Sequence, residues 1–463
     1  MVLPQMARAG AGADSIWSYM AGLDGRPARD YKGSMSAPPE SESAAPSARM
    51  VAAFLLGAVL DRRRALDDAM TDPQGGFAAL ADRDRAFTRR LVATALRRRG
   101  QVDAVLQGWL TQWPKGLPGN ALRLGATELL FLDAPAHAAV HSTVEIVPEK
   151  MRGLVNAVLR KVASEGAATV AQQDAPRLNT PDWLWHSWVA AYGEETTRAI
   201  AEAHSREAPL DISVASDVHD WATNLKAEVL PTGSLRRHEG GPVESLPGFD
   251  SGGWWIQDAA ATLPVRMLGD VKGQIVADLC AAPGGKTAQL GALGAAVTAV
   301  DRSPQRLKRL QQNLDRLRQM ASVICADIET WQAPEAFDAV LLDAPCTATG
   351  TIRRHPDLPH IKSETDLAKL RALQSRLIGH AWDMVKPGGR MVYCVCSLQP
   401  EEGEGHLEQL RALPGASLHR ASAADLNVPN DAVTKDGCLR TLPSMWHERG
   451  GMDGFFAVRL DRA

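Results

Sequence analysis

The sequence predicts an α/β protein in which a doubly wound parallel sheet is preceded by an all-α bundle and a small α+β domain. Three patterns lead to this prediction. From residue 266 to residue 463, short apolar runs alternate with helical segments, which is typical of parallel strands covered on both faces. Residues 48–168 carry apolar side chains at three-to-four spacing, as in packed helices. Residues 172–265 mix a helical stretch with short segments whose alternation indicates strands.

The predicted parallel strands are short and mostly apolar. They are Ile275–Leu279, Val297–Val300, Val323–Cys325, Phe337–Leu342 and Met391–Val395. A later run, Phe455–Leu460, is predicted to add an edge strand. Because ligands of such sheets bind beyond the carboxyl ends of the strands, we expect the chemistry in the loops that follow these runs.

Composition limits the class of protein. Hydrophobic residues make up 45% of the 463 residues and charged residues 23%, which is ordinary for a globular chain. No stretch approaches the roughly 18 consecutive apolar residues of a membrane span, and the N-terminus does not resemble a secretory signal. The six cysteines form no C-x-x-C pair or other metal-ligand spacing. We expect a cytoplasmic protein with free thiols and with neither a membrane nor a metal partner.

The charge is distributed unevenly along the chain. Residues 48–164 contain 17 Lys and Arg against 11 Asp and Glu, a net charge of +6. The formal net charge of the whole chain is −3, so the remainder carries −9. A basic helical module on an acidic body is compatible with an RNA partner, although charge alone fits a solvated helical surface equally well.

The first 47 residues are rich in Ala, Gly, Ser and Pro and lack periodicity. Such a segment buries too little apolar surface to offset its ordering entropy, so residues 1–47 are predicted to be disordered. Met35 is an alternative start of the natural chain, a hypothesis that the intact mass of the native protein would test.

The loop after the first predicted strand indicates a cofactor site. Gly284 and Gly285 allow the backbone to pass close to a ligand, and a helix N-terminus follows. A P-loop is excluded because Cys280 stands where that motif has its first Gly, and Pro283 removes an amide donor. The dinucleotide fingerprint is absent as well. A ligand without polyphosphate, such as S-adenosylmethionine, suits this loop.

Acidic residues follow three of the predicted strands. Asp301 is placed to accept from ribose hydroxyls, Asp327 from an adenine amino group, and Asp343 ends the fourth strand. Unpaired buried carboxylates are costly, so all three are expected at a site. The alternative is that they cap the helices that follow the strands.

Two cysteines lie at the same predicted edge. Cys346 follows the fourth strand and Cys396 closes the fifth. A thiolate that adds to carbon 6 of a pyrimidine makes carbon 5 nucleophilic, and cysteine both attacks and leaves well. A second group must remove the carbon 5 proton, and Asp343 could stabilise the adduct at ring nitrogen 3 if protonated or sharing a proton. The alternative is that the cysteines are buried core residues, which we expect of Cys280, Cys325 and Cys438.

These motifs resemble those of the RNA cytosine-5 methyltransferases of the Sun/Fmu superfamily, and among them the bacterial small-subunit ribosomal RNA enzymes. The segments that carry the resemblance are Asp278–Thr287, Asp343–Gly350 and Cys396-Ser397 in the catalytic domain, Leu246–Phe249 and Trp255–Asp258 in the connecting region, and Asp453–Phe456 near the C-terminus. Arg83–Phe87, His137–Val140 and Leu154–Arg160 resemble the NusB transcription-antitermination factor. The resemblance implies a NusB-like RNA-binding domain at 48–168, a connecting domain at 172–265 and a Rossmann-like methyltransferase domain at 266–463.

The resemblance also implies roles for individual residues. Cys396 would be the nucleophile, and Cys346 would help to release the product. The residues that would line the S-adenosylmethionine site are Cys280, Ala281, Ala282, Pro283, Gly284, Gly285, Lys286, Asp301, Asp327 and Asp343. The stretch 351–357 would contact RNA.

One position departs from the family pattern. A Thr normally precedes the nucleophile, whereas this chain has Val395 there and a further cysteine at Cys394. Strand alternation puts Cys394 on the same side as Cys396. Cys396 is favoured as the nucleophile because Ser397 follows it, as in the family.

The function expected from the sequence is S-adenosylmethionine-dependent methylation of cytosine carbon 5 in small-subunit ribosomal RNA by a monomer. Methylation of transfer RNA is one alternative, since the chemistry would be identical. A non-catalytic RNA-binding or antitermination scaffold is the other, and the intact acids and cysteines argue against it.

Overall fold

The computed structural model describes residues 47–463. The predicted disordered extension and Met35 lie outside this range, apart from Ser47. The chain divides after Asn179 into two compact units. Within the described residues, no helix has both the length and the hydropathy that crossing a membrane requires.

The first unit is helical throughout, as predicted. Its helices are α1 (Ala48–Leu60), α2 (Leu66–Met70), α3 (Asp82–Arg97), α4 (Arg99–Gln107), α5 (Leu117–Phe131), α6 (Ala136–Glu145), α7 (Glu149–Val170) and α8 (Ala175–Asn179), with 3-10 turns at Pro73–Gly75 and Phe77–Ala79. The Ser47 hydroxyl accepts the Met50 N–H at 3.2 Å and caps α1. Within α5, Glu128 is buried and pairs with Arg49 at 2.6 Å. The unit continues through α8, past the predicted boundary at residue 168.

The second unit opens with two helices and a small antiparallel sheet. The elements are α9 (Asp182–Tyr192), α10 (Glu194–His204), β1 (Leu210–Val214), α11 (Val218–Leu225), β2 (Glu228–Val229), β3 (Leu235–Arg237), a 3-10 turn (Val243–Ser245) and β4 (Trp254–Ile256). The strand order is β2-β3-β1-β4. Asp211 and Arg236 form a buried ion pair at 2.7 Å between β1 and β3. The predicted boundary at residue 265 falls inside the next helix, α12 (Ala259–Leu268). The small sheet and the large sheet belong to one compact unit.

The large sheet has the doubly wound order that the sequence predicts. Its strands are β5 (Ile275–Leu279), β6 (Ala296–Asp301), β7 (Ser322–Cys325), β8 (Phe337–Asp343), β9 (Val385–Val395), β10 (Ala416–His419), β11 (Leu439–Thr441) and β12 (Phe455–Arg462). The order is β10-β12-β9-β8-β5-β6-β7, with β11 paired to β12. Within the segment β9-β8-β5-β6-β7, each strand is parallel to the next.

The prediction that the last run forms an edge strand is wrong. Strand β12 runs antiparallel to β9 on one side and to β10 on the other. Its first four residues are buried, because helices and loops cover both of its faces. The segment Ala416–His419, which had no strand prediction, pairs beyond it.

Helices cover both faces of the sheet. They are α13 (Gly285–Ala292), α14 (Pro304–Leu317), α15 (Leu358–Ile361), α16 (Glu364–Asp383), α17 (Leu407–Arg411) and α18 (Ala423–Leu426), with 3-10 turns at Thr349–Thr351, Pro400–Glu402, Glu404–His406, Asn430–Ala432 and His447–Arg449. Leu342 and Tyr393 pack with Trp382 on one face, whereas Leu341 and Val392 pack with Leu268 on the other. Burial on both faces explains why the strand sequences are nearly continuously apolar.

Candidate active site

The parallel pairing of β8 and β9 brings the two cysteine-bearing loops to one edge of the sheet. Asp343, the last residue of β8, lies opposite Cys394. The Ala344 N–H donates to the Cys394 carbonyl at 2.9 Å, and the Gly350 N–H donates to the Cys396 carbonyl at 3.0 Å. Backbone hydrogen bonds therefore attach both ends of the loop after β8 to the end of β9.

This arrangement places the two predicted catalytic cysteines in contact. The sulfur atoms of Cys346 and Cys396 are 3.6 Å apart, and both residues are partly buried. The hydrogen bond to Cys396, together with burial, raises the pKa of the Cys346 thiol well above its ordinary value. The pair is thus close enough for both sulfurs to reach one substrate ring.

The neighbouring Cys394 has a different environment. It is fully buried, and its thiol donates to Asp343 Oδ1 at 3.5 Å. Burial and the nearby Asp343 carboxylate raise the pKa of Cys394. A buried thiol that is difficult to ionise is a poor nucleophile, whereas the partly exposed Cys396 is accessible.

Lys286 connects the loop after β5 to the cysteine loops. Its ammonium lies 2.8 Å from Asp343 Oδ2 and 5.1 Å from the centre of the Phe455 ring. Burial alone would lower the pKa of Lys286, but the Asp343 carboxylate outweighs it and the pKa is raised. Lys286 is therefore a fixed positive charge beside Asp343.

The backbone of the loop Cys280–Gly284 is tightly turned. Cys280 has a φ of 64° and Gly284 a φ of 103°, both in the left-handed region. A Cβ on Gly284 would lie 2.9 Å from Leu310 Cγ, so only glycine fits there without a shift. The Ala281 N–H donates to the Val300 carbonyl at 3.1 Å, and the Ala282 N–H donates to Asp301 Oδ2 at 3.2 Å.

The acids near this loop do not share one environment. Asp301 is buried, and its Oδ1 accepts the Ser303 N–H at 2.9 Å. Asp278 is fully buried, with Thr287 donating to Oδ2 at 2.6 Å and with Oδ1 lacking a hydrogen-bond partner. Burial raises the pKa of Asp278 to about 7. Asp278 therefore leaves an unpaired acceptor beneath the loop.

Asp327 lies apart from these acids in character. It is exposed, and its Oδ1 accepts the Glu329 N–H at 3.1 Å, so it caps a turn. The element after this turn is β8, so Asp327 does not cap a helix as the alternative supposed. Asp301 also accepts a following backbone N–H, but the residue that caps α14 is Ser303.

Several side chains that shape the site were not singled out in the sequence. Glu402, Gln374 and Arg440 are all buried next to the cysteine loops. Arg440 donates to the Ser397 carbonyl at 2.5 Å, directly after Cys396. The only signal in the sequence is a Pro-Glu-Glu turn shortly after Cys396, which by itself is an ordinary surface motif.

The stretch 351–357, which the resemblance implies would contact RNA, contains both buried and exposed residues: Arg353 is buried and His355 is exposed. Arg353 is fully buried between Asp258 at 2.6 Å and Asp453 at 2.9 Å. It joins the connecting region to the C-terminal strand and has no free face for RNA. Of the cysteines expected in the core, Cys438 is buried and Cys280 partly buried, whereas Cys325 is exposed because its strand lies at the sheet edge.

The parallel sheet, its acid- and glycine-bearing first loop and the helices on both faces define the class of Rossmann-like methyltransferases. The family model for 16S rRNA methyltransferase RsmB/F matches residues 265–461, and that for the NusB family matches residues 46–164. Ribosomal RNA small subunit methyltransferase B of Vibrio vulnificus is 36% identical over 405 residues, which is 82% of this chain and 92% of that protein. The chain therefore belongs to the 16S rRNA methyltransferase RsmB/F family.

Two further comparisons agree with this assignment. Ribosomal RNA small subunit methyltransferase B of Xylella fastidiosa is 36% identical over 439 residues, covering 89% of this chain and 97% of that protein. A solved methyltransferase homolog from Pyrococcus horikoshii is 26% identical with a TM-score of 0.50, covering 61% of this chain and 100% of the other. The resemblance inferred from the motifs is confirmed.

Proposed function

We propose that this protein transfers a methyl group from S-adenosylmethionine to carbon 5 of a cytosine in small-subunit ribosomal RNA, through a covalent bond between Cys396 and the base. The observation that carries the proposal is the 3.6 Å contact between the Cys346 and Cys396 sulfurs. Two thiols at one sheet edge suit a reaction that needs one group to attack and another to assist release.

The charges around the loop after β5 fit S-adenosylmethionine. Asp278, Asp301 and Asp343 lie near two cations, Lys286 and Arg306. An acid-rich pocket favours a ligand with a cationic sulfonium and ammonium over a polyphosphate. The unpaired Asp278 Oδ1 is a buried acceptor that a ligand donor could satisfy. When bound, the cofactor supplies an electrophilic methyl group, and residues Cys280 to Lys286 with Asp301 would hold it.

The residues of the cysteine loops have separate roles in the reaction at the cytosine ring. The Cys396 thiolate bonds to carbon 6, and the electron pair of the C5=C6 bond makes carbon 5 nucleophilic. The charge that develops toward ring nitrogen 3 is stabilised by a proton that Asp343 shares with the neighbouring Lys286 ammonium, and this proton returns to the pair as carbon 5 takes the methyl group. Once Cys396 is bonded to carbon 6, its hydrogen bond and charge no longer raise the pKa of the Cys346 thiol. After methylation, Cys346 loses its proton to water, and its sulfur accepts the carbon 5 proton. The C5=C6 bond re-forms, and the Cys396–C6 bond breaks to return the thiolate.

The RNA substrate is proposed from the relatives and from the first unit. The similar proteins are named ribosomal RNA small subunit methyltransferases, and residues 48–164 carry a net charge of +6 that suits phosphate contacts. A cytosine in structured RNA must be turned out of its stack to reach two partly buried sulfurs. We propose that the protein acts as a cytoplasmic monomer. Transfer RNA remains the alternative substrate, because the same chemistry serves both.

A denaturing gel tests this proposal. Cys346→Ala is mixed with unmodified small-subunit ribosomal RNA and S-adenosylmethionine, and protein that stays joined to RNA is scored. We expect a covalent band with Cys346→Ala, and no band with Cys346→Ala/Cys396→Ala. A band that disappears with Cys346→Ala/Cys394→Ala instead would move the nucleophile to Cys394.

The choice of RNA separates the remaining alternatives. A band with transfer RNA but none with ribosomal RNA would keep the chemistry and change the substrate. Absence of both the band and methyl transfer with either RNA would favour a non-catalytic scaffold.

A further inference from the structure

We propose that Glu402 is the positioning residue that holds Cys346 against Cys396, so that its loss traps the enzyme on its RNA. This inference rests on the proposed function and adds a residue to it. Glu402 ends the 3-10 turn Pro400–Glu402 and is fully buried. An acid in that position requires a full set of hydrogen-bond donors.

The donors come from Thr347, which follows Cys346, and from Gln374 in α16. The Thr347 N–H lies 3.0 Å from Glu402 Oε1 and 3.2 Å from Oε2. The Thr347 hydroxyl donates to Oε2 at 2.5 Å. Gln374 Nε2 donates both to Oε1 at 3.1 Å and to the Pro345 carbonyl at 2.8 Å. Glu402 thus fixes the chain directly after Cys346 and, through Gln374, directly before it.

The same network reaches the loop of the nucleophile. The Thr347 and Ser397 hydroxyl oxygens lie 3.0 Å apart, and Ser397 follows Cys396. The Thr349 hydroxyl in turn accepts the Leu398 N–H at 3.0 Å. These bonds set the two loops in register, and the separation of the sulfurs follows from that register.

Two further residues hold Glu402 and its partner Gln374 in place. Its carbonyl accepts the Tyr393 hydroxyl at 2.6 Å, and His406 Nε2 lies 3.1 Å from Gln374 Oε1. Burial raises the pKa of Glu402, while the bonds from Ser397 and Thr347 oppose that rise. A carboxylate that only accepts hydrogen bonds matches this set of donors.

The substitution Glu402→Gln is a sharp probe because it keeps the size of the side chain. Both carboxylate oxygens accept from donors, so either orientation of the amide turns its NH₂ group toward a donor. The loop of Cys346 must then move, while Cys396 keeps its strand. Glu401→Gln is the matched control, because Glu401 is the adjacent, exposed acid.

The experiment measures covalent RNA–protein adduct and multiple-turnover methyl transfer for Glu402→Gln, Glu401→Gln, Cys346→Ala and wild type. We expect Glu402→Gln to accumulate adduct as Cys346→Ala does, and to lose turnover by about 30-fold or more. Adding Cys396→Ala should remove the adduct, and Glu401→Gln should behave as wild type. A purely stabilising role would lower adduct and turnover together, in proportion to the folded fraction.

Two results would overturn the inference. The first is normal turnover by a folded Glu402→Gln protein. The second is a folded Glu402→Gln protein that loses turnover and forms no adduct, although Cys346→Ala does form adduct. If Cys346→Ala forms no adduct, the proposed function fails and the role of Glu402 fails with it.

A second pair of variants applies if Glu402→Gln does not fold. Thr347→Ala removes the hydroxyl that joins Glu402 to Ser397, and we expect adduct to accumulate. Thr347→Ser keeps that hydroxyl and should restore turnover. Equal behaviour of the two Thr347 variants would contradict the positioning role.

Discussion

The loop after β5 and the two cysteine loops lie at one edge of the same sheet, yet they are held in different ways. The loop Cys280–Gly284 is fixed by its own backbone, by the neighbouring strand and by Asp301. The loop of Cys346 is attached to β9 by backbone bonds at its two ends, and between them both cysteine loops are fixed by side chains gathered around the buried Glu402. The first arrangement is local in sequence and depends on backbone shape. The second depends on a few buried side chains from distant segments, so single substitutions there should separate individual steps of the reaction.

The largest expected effect distinguishes the two cysteines at the end of β9. Cys396→Ala should reduce methyl transfer to unmodified ribosomal RNA by at least about a thousandfold, because the attacking atom is lost. Cys394→Ala removes a buried thiol that only donates to Asp343 and should cost less than about tenfold. Transfer of labelled methyl groups to RNA measures both. A greater loss with Cys394→Ala than with Cys396→Ala would reverse the assignment of the nucleophile.

Smaller effects are expected from glycine substitutions in the two parts of the site, the loop Cys280–Gly284 and the cysteine loops. A Cβ on Gly350 would lie 2.0 Å from the Gly454 carbonyl oxygen, whereas a Cβ on Gly284 meets Leu310. Gly350→Ala should lower methyl transfer about tenfold or more with unchanged S-adenosylmethionine affinity, since it displaces the cysteine loop. Gly284→Ala should weaken S-adenosylmethionine binding instead, as measured by calorimetry.

Gly233→Ala is the control for these variants. Gly233 also has a positive φ, of 82°, but a Cβ there meets nothing within 4 Å. Gly233→Ala should change neither methyl transfer nor S-adenosylmethionine affinity. If Gly284→Ala and Gly350→Ala weakened cofactor binding equally, the division of the site into two independently held halves would be wrong.

The smallest expected effect is a change in the pH dependence of stability, and it arises at His204, the last residue of α10. His204 is buried against Trp188, whose Nε1 donates to Gln399 Oε1 at 2.7 Å. Burial lowers the pKa of His204 to about 3. Because the unfolded histidine titrates near 6.5, its contribution to stability is present above pH 6.5 and is lost as the pH falls toward 3. At pH 5 the loss is about 2 kcal/mol.

Urea unfolding of His204→Phe at pH 5 and pH 7.5 measures this contribution. The variant should lose about 2 kcal/mol less than wild type between these two values, since phenylalanine does not titrate. His219→Gln, at an exposed histidine, should keep the wild-type difference. An unchanged pH dependence in His204→Phe would contradict the buried, neutral state of His204.

Most of the sheet could be predicted because its strands are short apolar runs buried on both faces. Ile275–Leu279 was predicted with the observed bounds, and the others differ mainly in length. The exception is Phe455–Arg462, whose place between β9 and β10 depends on the pairing of Ala416–His419. That segment alternates exposed and partly buried positions and carries little apolar signal of its own.

The placement of the loop Cys280–Gly284 and of the two cysteines at one sheet edge could be predicted, because each follows a strand that the sequence marks. Gly284, Asp301 and Cys396 follow directly from strands that the sequence marks. Glu402 could not be predicted, because its role exists only once Thr347 and Gln374 surround it. The burial of Arg353 likewise depends on acids about a hundred residues away in sequence, at Asp258 and Asp453.

The most direct test of the central claim follows the hydrogen on carbon 5. Small-subunit ribosomal RNA made with cytidine tritiated at carbon 5 is incubated with the enzyme and S-adenosylmethionine, and tritium released to water is compared with methyl groups transferred. Methylation at carbon 5 predicts one tritium released for each methyl transferred in the wild type, and methyl groups retained with little tritium release in Cys346→Ala. Methyl transfer by the wild type without release of tritium would contradict the account, because it would place the methyl group elsewhere on the RNA.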